Sequence, residues 1–157
     1  MPEIQAEMLV EGRTPDEMWA LVKDSARIAS QARHVVGVRP LSEQDKTFRL
    51  NEWKVLLNGS EVTWVQREAA GPGLRLRFEQ TTGDLEQLSG EWAVTAAPAG
   101  TQVRLSLAFE LGVDGLAPLL EPIWSQSFQA HADALMRSLS ACATSQPEHR
   151  APEKDLI

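Results

Sequence analysis

The chain predicts an α+β fold: a curved antiparallel β-sheet of about seven strands wrapped around one long C-terminal α-helix, with two short helices after the first strand. Three observations predict it. Leu120, Trp124, Phe128, His131, Leu135, Leu139 and Cys142 recur at steps of four or three residues, the apolar stripe of a 3.6-residue helix. Most of the chain before that stripe alternates apolar and polar residues, the period of strands with one buried face. Between the first strand and the others lie two short segments with helix-start signals. A helix over Leu119–Cys142 is on the order of 35 Å long. It must bury its stripe against the sheet, and a straight helix on a curved sheet need not fill the space between them.

Each element has its own signal. Ile4 to Val10 reads as the first strand and ends at Gly12. Thr14 caps a helix with Pro15 at its first position and Glu17 at capping-box spacing. Asp24 or Ser25 starts a second helix that runs to about Ala32. Val35 to Leu41 is the second strand, with Pro40 marking an edge or an exit. Lys46 to Leu57 is the third, and Asn58-Gly59 predicts a hairpin into the fourth, Glu61 to Glu68. Gly71-Pro72-Gly73 turns the chain into Leu74–Thr81, where Leu74, Leu76, Phe78 and Gln80 share one face. Glu86–Ala96 and Thr101–Leu111 form the last hairpin. The domain spans residues 1–142, and the polar, proline-containing segment 143–157 is expected to be a disordered tail.

Composition excludes several classes. The chain has 157 residues and a net charge of −7, which disfavours nucleic acid and anionic membrane surfaces as partners. Its single cysteine, Cys142, leaves no internal disulfide and no cysteine metal cluster. No apolar run is long enough to span a membrane, and the N-terminus lacks a signal-peptide pattern. A cytoplasmic monomer or homodimer without metal or cofactor is the expectation. The chain has five tryptophans and no tyrosine, so a tyrosine acid or nucleophile is excluded.

The order strand, two helices, six strands, long helix resembles the helix-grip fold of the START-like superfamily. Thr14-Pro15 to Trp19, Thr63-Trp64-Val65-Gln66-Arg67-Glu68, Gly90-Glu91-Trp92 and Gly100-Thr101-Gln102-Val103 carry the resemblance, over about residues 3 to 141. Within the superfamily the chain is similar to polyketide cyclases and aromatases and to coenzyme Q-binding and lipid-transfer proteins. The resemblance implies a hydrophobic cavity holding a polyketide or another small apolar ligand, free or presented by an acyl carrier protein. It also implies an arginine on the inward face of the fourth strand, where this chain has Glu68. Arg67 is the outward neighbour. A histidine that some aromatases carry on the last strand corresponds to about Leu107.

The residues themselves suggest the rest. If Trp64 faces inward, Gln66 and Glu68 do too. Glu68 could act as a general base where burial raises its pKa. His131 interrupts the helix stripe and could shuttle a proton. Trp64, Phe78 and Trp92 on the sheet, with Trp124 and Phe128 on the helix, would wall a site for a flat ligand. Gln66 and Gln80 are inward polar groups that need partners. The run Glu52-Trp53-Lys54 breaks the alternation of the third strand and leaves its inward face open. Arg75, Arg77 and Arg104 lie on the outer face, a surface that could meet an acidic carrier. Two functions follow: an aldol-cyclising, dehydrating enzyme with Glu68 and His131 as acid and base, or a carrier without chemistry.

Overall fold

The computed structural model describes residues 2–41, 48–112 and 117–155. The elements are β1 (Glu3–Glu11), α1 (Pro15–Val22), α2 (Ser25–Ser30), β2 (Val35–Pro40), β3 (Arg49–Leu57), β4 (Ser60–Gly71), β5 (Arg75–Gly83), β6 (Gln87–Ala97), β7 (Gly100–Glu110) and α3 (Ala117–Asp155). The strands form one seven-stranded antiparallel sheet in the order β1-β7-β6-β5-β4-β3-β2. This is the helix-grip architecture anticipated above. Lys46, the expected start of the third strand, and Gly115, before the long helix, lie outside the described residues.

Local chemistry explains the elements that position the interior. Thr14 and Glu17 form the reciprocal capping box, with bonds of 3.1 and 2.9 Å. Asp24 rather than Ser25 caps α2, accepting from Arg27 N. Asn58 and Gly59 take φ of 53° and 81°, the two positive angles of a type I′ turn, so β3 and β4 meet in the register of a two-residue hairpin. β2 is an edge strand, which is where Pro40 can sit without breaking a ladder.

The inner face of the sheet meets α3. Phe128, Ala132, Leu135, Leu139 and Cys142 are buried, as are Val103, Leu105 and Phe109 on β7, with the Phe109 and Phe128 rings 4.6 Å apart. Complete burial of a side chain such as Phe128 contributes about 2 kcal/mol. The front of the stripe, Leu120 and Trp124, is only half-buried. Gly90 has a packing reason: a Cβ there would stand 2.5 Å from Phe78 Cζ, so glycine lets that ring lie across β6. α2 is tied to α3 through its carbonyls, Ile28 O accepting from Ser138 Oγ and Arg27 O from Cys142 Sγ.

The α3 helix runs from Ala117 to Asp155. Packing extends past Cys142, since Ala143 is buried and its carbonyl accepts from Arg13 Nη2 at 2.6 Å. Among the described residues no helix is long and apolar enough to cross a membrane.

Candidate functional site

The hairpin register builds the site's wall. Trp53 and Trp64 are direct partners across β3 and β4. They stack with their rings 6.2 Å apart and 3° from parallel. His131 meets both rings edge-on, at 6.2 and 6.0 Å, and meets Phe128 the same way at 6.2 Å. Behind this cluster is an internal cavity of about 20 Å³, bordered also by Gln66, Phe78, Leu88, Trp92, Leu105, Leu107 and Leu135. That is room for about one water molecule. The space between helix and sheet is therefore nearly filled, because Trp53, Trp64, Trp92 and Phe128 all project into it.

A line of polar side chains follows the inward face of β4. Trp64 Nε1 donates to Gln66 Oε1 at 2.8 Å, and Gln66 Nε2 donates to Glu68 Oε2 at 2.7 Å. Arg49 Nε donates to Glu68 Oε1 at 2.8 Å, and Arg49 Nη2 to Lys23 O. The spacing of two keeps all three β4 residues on one face. Glu68 is only 2% exposed, so its carboxylate depends on that guanidinium for charge compensation. Arg67 stays outside and pairs with Glu79 at 2.7 Å. The β4–β5 register does shift beside Gln66, but the extra residue is Thr81 on β5. The alternation of β4 is therefore intact, and Arg67 does not turn inward.

His131 has a partner that the sequence did not reveal. His34 Nε2 lies 2.6 Å from His131 Nδ1, so one imidazole donates and the other accepts. His34 is placed by its own backbone, whose carbonyl accepts from Leu56 N at 2.8 Å. Burial first, and then the neighbouring His34, push the His131 pKa down to about 3. Burial and the charge of Arg137 lower that of His34. The pair is therefore neutral near pH 7. His131 Nδ1 is engaged, which leaves Nε2 as the nitrogen able to meet a ligand.

Of the expected site residues, Trp64, Gln66, Phe78, Trp92, Leu107, Phe128 and His131 border the cavity. Glu68 reaches it only through Gln66. Gln80 is turned to Leu85 O, donating at 2.8 Å, and Trp124 is half-buried against Phe128. Two buried polar atoms among the described residues have no partner, Trp53 Nε1 and Gln80 Oε1. Trp53, which carries one of these atoms, borders the cavity. Trp53, His34 and Arg49 were missed. The signal for Trp53 and Arg49 was the Asn58-Gly59 turn: counting back from it pairs Trp53 with Trp64 and Arg49 with Glu68. No such local signal exists for His34. On the outer face, Arg75 and Arg77 already pair with Glu91. Among the described residues no group of three or more histidine, cysteine or carboxylate side chains is placed to hold a metal ion.

A family model described as polyketide cyclase/dehydrase and lipid transport matches residues 12–139. No curated protein sequence matches the chain. Among solved structures, TTHA0849 from Thermus thermophilus is similar at 23% identity and a TM-score of 0.85, covering 93% of this chain and 99% of that one. The Zhui aromatase/cyclase from Streptomyces sp. R1128 is similar at 19% identity and a TM-score of 0.73, with 90% and 95% covered. The di-domain aromatase/cyclase BexL is similar at 24% identity and a TM-score of 0.67, covering 94% of this chain and 48% of that one. At these identities the likeness is one of fold.

Proposed function

Given that this chain belongs to the polyketide cyclase/dehydrase and lipid-transport family, we propose that it binds a flat, carbonyl-bearing polyketide intermediate and promotes aldol cyclisation with loss of water. The observation that carries this reading is the neutral, buried His131, bonded to His34 and set edge-on to the Trp53–Trp64 wall. An imidazole kept neutral near pH 7 has a lone pair open to a proton, and its low affinity for that proton favours returning it to the new oxygen. Aldol closure takes a proton from a carbon between two carbonyls, joins that carbon to a third carbonyl carbon, and returns the proton to the new oxygen. Dehydration takes a second proton from the same region and expels the hydroxyl as water.

In this reading His131 Nδ1–H donates to His34 Nε2, which holds the tautomer whose Nε2 is unprotonated, and His131 Nε2 accepts and returns the proton. Trp53 Nε1, an unsatisfied donor, would bind a ligand carbonyl oxygen, recovering about 1–3 kcal/mol of desolvation cost. The second amide hydrogen of Gln66 can do the same, with Glu68 and Arg49 holding that amide in place. Glu68 is thus a positioning residue rather than the base. No cofactor is required. The present cavity is too small for such a ligand, so admission requires side chains of its wall to move.

The test uses a short poly-β-carbonyl thioester as substrate. His131→Asn keeps a hydrogen-bonding group near the Nδ1 position but cannot carry the proton. Product formation should fall about a hundredfold, with the melting temperature near pH 7 close to wild type. Unchanged turnover would remove His131 from the mechanism.

A second reading, a non-catalytic carrier of a quinone, lipid or similar apolar molecule, has its own support. Arg67 faces away and Arg49 is engaged by Glu68, so neither of these cations is free to hold an enolate. Saturable ligand binding by the wild type without any turnover would establish this second reading.

A further inference from the structure

A second, larger space lies outside the cavity. A groove of about 610 Å³ runs along α3 between the α2–β2 link and the β3–β4 hairpin. Its volume falls within the roughly 300–1,000 Å³ of drug-sized ligand sites. Ala130, Ala134 and Ala141 line its α3 side, and Leu57 and Ala32 lie opposite. Two cations, Arg33 and Arg137, border it and no carboxylate does, although the chain carries a net charge of −7. Among the described residues neither arginine makes an ion pair. His34 and His131 also border it, and His131 borders the cavity as well.

The geometry points to a binding site for an amphiphilic monoanion, its apolar body on the alanine floor and its carboxylate, sulfonate or phosphate head at Arg33 and Arg137. Guanidinium groups suit such heads, because their N–H forks form charge-assisted bonds to planar or tetrahedral oxyanions. The alanines give the body a shallow apolar bed without obstructing side chains. The charge of Arg137 already reaches the groove's interior, since it lowers the His34 pKa. The site does not depend on the chemistry proposed for the cavity.

Two fluorescent probes with one fused-ring body separate head from body: 8-anilinonaphthalene-1-sulfonate and its uncharged relative N-phenyl-1-naphthylamine. Near pH 7 the sulfonate should bind about tenfold more tightly. The exposed pair Arg33→Gln/Arg137→Gln should abolish that preference and leave the affinity of the neutral probe unchanged. Dodecanoate should displace the sulfonate probe, and inorganic phosphate at the same concentration should not. Equal affinity for the two probes, a preference that survives the double substitution, or displacement by phosphate but not dodecanoate would each overturn the assignment. The probes read the groove and thioester turnover reads the cavity, so failure of the groove and failure of the cyclase reading are told apart.

Discussion

Arg49→Ala should cost about 3 kcal/mol of folding stability, measured by urea unfolding near pH 7. Removing one partner of a buried ion pair typically costs about 3–5 kcal/mol, because the remaining charge is left uncompensated. Glu68 is that remaining charge: its side chain is 1% exposed, against 35% for Arg49. The partial exposure of Arg49 admits some water and places the cost at the lower end. Gln66 would still donate to one oxygen, but an amide carries no net charge. The double variant Arg49→Ala/Glu68→Gln should recover most of the loss, since the neutral amide needs no cation. A cost for Arg49→Ala below about 1 kcal/mol would show that the pair behaves as a surface salt bridge. Glu68 would then not be buried as described.

Acid should destabilise the fold through the histidine pair. His131 has a folded-state pKa of about 3, against the usual 6.5. The unfolded chain therefore takes up the proton first as pH falls. The contribution of neutral His131 is complete above about pH 6.5 and is lost as the pH drops towards 3. At about 1.4 kcal/mol per pH unit, the loss by pH 4.5 is roughly 3 kcal/mol. His34, whose pKa is also lowered, adds to the loss with the same sign. Carboxylates titrate over part of this range, so the informative quantity is the difference between wild type and His131→Asn. The variant should lose distinctly less stability between pH 6.5 and pH 4.5. Parallel losses would mean that His131 is not held neutral by burial.

Much of the architecture could be read from residue order because its signals are local. The capping box at Thr14, the Asn58-Gly59 turn and the alternation of β5 and β7 each lie within a few residues. β3 masks the local signal for a physical reason. It carries Asn51 inward and leaves Leu56 exposed, so polarity no longer marks its buried face. Trp53 was lost with it, although the hairpin register contained the answer. The His34–His131 bond could not be found this way, since 97 residues separate its partners. Only the folded path of α2, β2 and α3 brings them together. The fill of the interior was equally hidden. Aromatic residues on an inward face say that a wall exists, but their orientations decide how much space they leave.

The stacked indoles also make the interior optically observable. With no tyrosine in the chain, near-ultraviolet emission belongs to its five tryptophans alone. Two of them lie face to face against the His131 edge. An imidazolium or an aromatic guest arriving there would quench a signal that no phenol obscures. The protein thus carries an intrinsic dye in the wall of its cavity.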